Sequence, residues 1–147
     1  MLALLVFLAN FAATWFLCGL IWFVQVVHYP AFCDVGAVAF PPYHARHTRR
    51  TTAVVVGPMI VELATALLLA ARPTPWMSPA AAWGGLALVA VVWASTVALQ
   101  VPMHRRLGVA FADTAHRRLC ATNWIRTAAW TARAILLTAA LAAAIKP

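Results

Sequence analysis

The chain has 147 residues, of which 65% are hydrophobic and only 10% are charged, and its mean hydropathy is +0.86. A soluble domain of this size could not hide so much apolar surface, so soluble classes of protein are excluded. The net charge of +8 would suggest nucleic-acid binding in a soluble chain. Here the cations lie in short loops between apolar segments, as in membrane proteins, and we expect no nucleic-acid partner.

Four apolar segments are each long enough to cross a hydrocarbon core of about 30 Å at roughly 1.5 Å per residue. They predict an all-α fold, an integral membrane four-helix bundle, as a single transmembrane domain over residues 1–147 in contact with the lipid bilayer. The predicted helices cover about residues 2–27, 42–71, 80–104 and 122–145. The first segment lacks the basic start and small-residue cleavage motif of a signal peptide, so we expect the mature protein to retain it.

The distribution of arginines predicts the orientation of the bundle. Three arginines lie in the loop between helices one and two and four in the loop between helices three and four, whereas the loop between helices two and three carries only Arg72. Lys and Arg in short loops are retained on the cytoplasmic side. We therefore expect a multi-pass protein of the cell inner membrane with both termini outside and a tight outer turn over residues 72–79.

The two halves of the chain share a short pattern. A Trp, a Gln and a His follow one another at the inner end of the first apolar segment and again at the inner end of the third: Trp22, Gln25 and His28, then Trp93, Gln100 and His104. This favours two helical hairpins related as a parallel repeat about an axis along the membrane normal. Chance similarity is the alternative for so short a match.

A carboxylate interrupts the second apolar segment. Glu62 lies in an otherwise uncharged run, where a charge costs a few kcal/mol or more and normally faces a partner in the bundle. Arg133 lies about as deep in the fourth segment and is the expected partner, with Arg126 on the same face about two turns nearer the inner end. Either the pair is structural and fixes helix register, or Glu62 is catalytic and positions a ligand or relays a proton, with Arg126 and Arg133 neutralising it or an anionic substrate.

Four histidines from three helices are expected at one membrane level. His44 and His47 share one predicted face of helix two with Glu62. They would meet His28 and His104 near the inner leaflet. Imidazole suits iron, copper or zinc, and two imidazoles on opposite faces would hold haem b, for which His28 and His104 are the best axial candidates. Four polar residues would hydrogen-bond to and orient these ligands: Gln25, Tyr43, Gln100 and Asn123.

Simpler interpretations exist for the remaining polar residues. His44 and His47 could be a solvated pair at the membrane interface, because an i, i+3 histidine pair is a ligand pattern of low specificity. His116 is expected to be interfacial, and the three cysteines, which have no CxxC spacing, are expected to be small apolar fillers. No Glu-x-x-His pair is present, so a di-iron carboxylate site is not indicated.

Several short strings resemble a known group of proteins. The strings His28-Tyr29-Pro30, Gly57-Pro58-Met59 and Asn123-Trp124-Ile125-Arg126-Thr127 look like those of a widespread group of small bacterial four-helix membrane proteins, over nearly the whole chain. The chain is more distantly similar to the anthrone-oxygenase-like membrane family. That resemblance implies oxidative chemistry on a hydrophobic substrate at the inner leaflet.

The sequence thus predicts a metal- or haem-dependent redox or oxygenase-type enzyme acting on a hydrophobic small molecule. The alternative is a small transporter or proton-relay protein, or an accessory subunit of a larger membrane complex. A chain this short leaves little room for a substrate pocket, so a homo-oligomer is compatible with either function.

Overall fold

The computed structural model describes residues 1–72 and 74–145, and within them four long helices pack as a bundle. The helices are α1 (Leu2–Asp34), α2 (Phe40–Ala71), α3 (Pro79–Val109) and α4 (Asp113–Ala144). Each is long and apolar enough to cross a membrane. The predicted all-α bundle with four candidate spans is therefore confirmed.

The helices extend further at one end of the bundle than the hydrophobic segments alone indicated. Helix α4 begins at Asp113, nine residues before the predicted start at residue 122, and α3 continues to Val109. Charged residues fill these extra turns, so hydropathy could not mark them as helical. The α1–α2 and α3–α4 connections lie at this end, which we call the histidine end because His28, His44, His47 and His104 are all located there.

Helices α1 and α3 each contain one π-helical turn, at Val24–His28 and Thr96–Gln100. In each case the amide after the turn bonds five residues back, from Tyr29 to Val24 and from Val101 to Thr96. Proline is the next residue both times, Pro30 and Pro102. Its ring clashes with the carbonyl four residues back, and a wide turn relieves that clash. The two halves of the chain thus share a backbone irregularity as well as a residue pattern.

The opposite end of the bundle is closed by the turn between α2 and α3. An isolated antiparallel bridge joins Thr74 to Met77, and Ser78 caps α3 by accepting a hydrogen bond from the amide of Ala81 at 3.2 Å. The Trp76 ring packs edge-on against Phe7. Pro73, part of the predicted turn, and residues 146–147 lie outside the described residues.

A buried ion pair joins α2 to α4 in the middle of the bundle. The Nε of Arg133 donates to Oε1 of Glu62 at 3.0 Å, and the two residues are 2% and 0% exposed. The other helices complete the network: Thr14 of α1 donates to Oε1 of Glu62 at 2.7 Å, and Arg133 donates to the Gly85 carbonyl of α3. The predicted pair is present, and it is satisfied by hydrogen bonds from all four helices.

Truncation of the acid should destabilise the bundle. Glu62→Ala leaves Arg133 buried without its partner, and we expect a loss of about 3–5 kcal/mol in the free energy of unfolding. Unfolding titrations in mild detergent measure it. The matched control is Glu62→Leu combined with Arg133→Met, which removes both charges and should recover the part of the loss that comes from an unpaired Arg133, although the Thr14 hydroxyl still lacks its acceptor. Equal stability of Glu62→Ala and the unmodified protein would contradict a structural ion pair.

Gly85 should not tolerate a side chain, whereas the neighbouring Gly84 should. A Cβ at Gly85 would lie 2.9 Å from Nη1 of Arg133, whereas a Cβ at Gly84 meets nothing within 4 Å. We expect Gly85→Ala to lower stability by about 1–3 kcal/mol through overpacking. Gly84→Ala should be neutral or stabilise by up to about 1 kcal/mol, because Ala is the better helix former. Thermal unfolding of both variants tests this, and similar values would rule out close contact at Gly85.

Candidate functional site at the histidine end

Four imidazole rings from three helices form one cluster at the histidine end. The Nε2 of His28 on α1 lies 2.6 Å from Nδ1 of His47 on α2, and Nε2 of His44 lies 3.0 Å from Nδ1 of His104 on α3. The two pairs adjoin, since the His47 ring centroid is 6.0 Å from that of His44 and 5.8 Å from that of His104. The structure therefore brings together the four histidines that the sequence placed at one level.

The helix register explains how α2 supplies two of these rings. His44 and His47 are three residues apart and share one helix face with Thr51 and Val55. Pro41 and Pro42 lie in the first turn of α2, where a missing amide hydrogen is harmless, so the helix starts early enough to include both histidines. The hydroxyl of Thr51 lies 3.2 Å from Nδ1 of His47 and adds a polar contact to the cluster.

A chain of hydrogen bonds connects the cluster to α4. The hydroxyl of Tyr29 lies 2.9 Å from Nε2 of His104 and accepts a hydrogen bond from Nη2 of Arg126 at 3.3 Å. The Nε of Arg126 donates to Oδ1 of Asn123 at 3.0 Å, and Nδ2 of Asn123 donates to Oε1 of Gln25 at 2.7 Å. Tyr29 is thus the residue that joins the imidazoles to the buried guanidinium, a role that no pattern in the sequence indicated.

The other residues expected to orient the ligands are placed differently. Gln100 accepts a hydrogen bond from Ser95 at 3.0 Å and donates to Thr122 at 3.2 Å, so its amide links α3 to α4. Gln25 donates to the Cys120 carbonyl at 3.1 Å. Tyr43 packs against Phe32 and Phe40. None of their polar atoms has a recorded hydrogen bond to the four imidazoles among the described residues.

Two open cavities reach the cluster from different sides. The larger, of about 710 Å³, lies between α2 and α3, and its wall includes His44, His47, His104, Tyr29 and Arg126. The smaller, of about 310 Å³, lies between α1 and α2 and includes His28, His47 and Tyr43. Apolar side chains such as Val55 and Met59 complete the wall of the larger cavity. The imidazoles are therefore accessible to a small, largely apolar molecule.

The ion pair of Glu62 and Arg133 is separate from these cavities. Both carboxylate oxygens of Glu62 accept hydrogen bonds, Oε1 from Thr14 and Arg133 and Oε2 from Trp130 at 3.0 Å. Glu62 is not part of the wall of either cavity, and Arg133 is not either. These contacts favour the structural interpretation of the pair, and a role for Glu62 in ligand positioning or proton relay stays a prediction.

The cluster is not arranged as a completed metal site. Within residues 1–72 and 74–145, no group of three or more His, Cys, Asp or Glu side chains is positioned to hold one metal ion. The predicted haem ligands each contact another histidine, His28 contacting His47 and His104 contacting His44. Metal and haem binding at these residues therefore stay predictions.

His116 is buried, and the expectation of an interfacial side chain was wrong. It is 6% exposed, and its Nε2 lies 2.7 Å from the carbonyl oxygen of Tyr29. Its other nitrogen lies 3.4 Å from the sulfur of Cys33, and the sulfur of Cys120 lies 3.4 Å from Nε2. The surrounding arginines concealed this role in the sequence. One signal was available: His116 precedes Leu119 and Asn123 at helical spacing, and all three are buried on α4.

The fold and the site together define a four-helix, membrane-type protein with a buried histidine network. Comparison with protein-family models, curated proteins and solved structures finds no match.

Removal of the His116 ring should destabilise the histidine end. His116→Ala removes the imidazole partner of the Tyr29 carbonyl, which keeps its hydrogen bond from the Phe32 amide at 3.2 Å, and it also removes the packing of a buried ring. Together these losses should lower stability by about 1–3 kcal/mol. Unfolding in detergent measures the loss, and Arg117→Ala, at the exposed neighbouring position, is the control that should change little. Equal effects of the two substitutions would contradict a structural role for His116.

Proposed function

We propose that the protein is a metal-dependent redox enzyme of the bacterial inner membrane, in which His28, His44, His47 and His104 bind one transition-metal ion. The observation that carries the proposal is the pair of imidazole contacts at 2.6 and 3.0 Å between different helices. Two nitrogens bound to one tetrahedral metal at about 2.0–2.1 Å are separated by about 3.3 Å. Within each pair the two nitrogens would need to separate by less than about 1 Å, and the two pairs would need to move together, since no three of the described His, Cys, Asp or Glu side chains are positioned to hold one ion.

The surroundings of the cluster support an ion with nitrogen ligands. The cavity walls contain no acidic residue among the described parts of the chain, so imidazole is the available donor. Copper and iron accept imidazole ligands and change oxidation state, which zinc does not. Ring centroids 4.5–6.0 Å apart leave the four imidazoles closely packed, which favours a single ion over a macrocycle such as haem b.

The larger cavity would hold the substrate. Its walls are mostly apolar, it adjoins His44 and His104, and Tyr29 places a hydroxyl beside the same imidazole. A copper or iron ion held by these imidazoles would supply redox chemistry, with dioxygen, which dissolves in the bilayer, as the oxidant. The Tyr29–His104 pair would accept a proton from the bound substrate. The resemblance of short sequence strings to the anthrone-oxygenase-like family implies chemistry of this class.

Metal analysis of the purified protein tests the proposal. We expect copper or iron to bind in a stoichiometric amount, with a copper electron paramagnetic resonance spectrum typical of nitrogen ligands. His44→Gln combined with His47→Gln should abolish binding, because each imidazole pair loses a member. His116→Gln, which removes a buried imidazole outside the cluster, is the matched control and should bind normally.

Two results would overturn the proposal. One is a folded protein that retains neither metal after reconstitution and shows no Soret band. The other is identical metal binding by the double variant and the unmodified protein.

A further inference from the structure

Arg126 is a buried cation on the wall of the larger cavity. It is 9% exposed and is part of the lining together with His44 and His104. Its guanidinium donates to Asn123, to the Tyr29 hydroxyl and, at a long 3.4 Å, to Thr96. All three partners are uncharged, so hydrogen bonding satisfies most of the group without neutralising its charge.

The chain has almost no acid with which to neutralise it. It contains three acidic residues, and Glu62 is the partner of Arg133. The other two, Asp34 and Asp113, are exposed near the ends of their helices. Among the described residues, the ion pair of Arg133 with Glu62 is the single salt bridge. A charge inside a helical bundle is normally paired, so the two buried arginines of α4 differ in this respect.

We infer that Arg126 binds the carboxylate of an amphiphilic anion whose apolar part occupies the larger cavity. A carboxylate matches the donors of a guanidinium and would supply the missing negative charge. Val55 and Met59 offer apolar contacts to the rest of the molecule, and the exposed Arg49 and Arg105 also line this cavity. Their positive charge attracts an anion toward it.

This inference deepens the proposed function by naming the class of molecule in the cavity, and as a statement about the substrate it rests on that function. The binding itself requires only Arg126 and the cavity wall. A monoanion would also offset the positive charge that a metal ion on four neutral imidazoles adds beside Arg126. Anion binding and metal binding can therefore be measured separately.

The probe is dansyl-labelled undecanoic acid, with its methyl ester as the uncharged control. The protein is purified in non-ionic detergent and treated with a chelator, so that failure to bind metal does not affect the result. We expect saturable enhancement of dansyl fluorescence with the acid and binding weaker by about 10- to 100-fold with the ester, the range for loss of a charge-assisted hydrogen bond. Equal affinities for acid and ester in the unmodified protein would overturn the inference without any substitution.

Substitutions locate the binding site. Arg126→Gln should weaken binding of the acid by about 10- to 100-fold and leave the ester unaffected. Arg126→Lys should retain part of the preference for the acid. Arg118→Gln, at an exposed position on the same helix, should bind both probes normally. An equal loss in Arg118→Gln and Arg126→Gln would show that the anion binds by surface charge alone and would overturn the inference.

Competition separates a free carboxylate from a lipid headgroup. Unlabelled undecanoic acid should displace the probe, whereas phosphatidylglycerol and phosphatidylcholine should not. Displacement by phosphatidylglycerol alone would assign the guanidinium to a membrane phospholipid and would contradict a carboxylate ligand.

Discussion

The ion pair between Glu62 and Arg133 is the interaction on which the arrangement of the bundle depends. A lone charge at this depth would be strongly unfavourable, so the two residues are compatible with an apolar core only when they are in contact. Their contact fixes the rotation of α2 relative to α4. Thr14 and the Gly85 carbonyl extend the same constraint to α1 and α3. Helix faces set in the middle of the bundle then determine which side chains meet at the histidine end.

The two buried arginines of α4 differ in the acceptors of their hydrogen bonds, and this difference separates a structural role from the proposed role in binding a ligand. Arg133 has a carboxylate, a backbone carbonyl and an amide oxygen as acceptors, so few of its donors remain to bind a ligand. Within the described parts of the chain, Arg126 has only neutral acceptors, and it faces a cavity. Both residues looked alike in the sequence, as cations on one helical face. What separates them is the position of the few acids in the chain.

Much of the fold could be predicted from the sequence because hydropathy reports burial in lipid directly. The four helices, the partnership of Glu62 with Arg133 and the common level of four histidines all follow from segment length and helical spacing. The extra turns of α4 could not be predicted this way, because residues 113–121 are polar enough to resemble a loop. Nor did composition indicate that His116 packs inside, since its imidazole contacts a backbone carbonyl of a different helix, that of Tyr29 in α1.

The hydrogen-bond partners in the candidate site were harder to predict from the sequence, and the reason is geometric. The expected facing of Gln25, Gln100 and His104 assumed regular α-helices, in which residues four apart stack on one side. A π-helical turn contains one more residue than an α-helical turn. The residues after it therefore lie on different faces of the helix from those that regular α-helical spacing would give them. Gln100, the last residue of the turn in α3, bonds Ser95 and Thr122 and not the imidazoles, while His104 meets His44, as expected, and also Tyr29.

The two wide turns also bear on how such a cluster tolerates changes in chain length. A π-turn absorbs one extra residue, so a one-residue insertion or deletion there can be taken up by a switch between an α-turn and a π-turn, and the residues after it keep their faces. In α3 the turn at Thr96–Gln100 lies just before His104, which contacts the imidazole of His44. A one-residue change upstream can therefore leave that contact in place, without altering the number or the hydrophobicity of the helices around it.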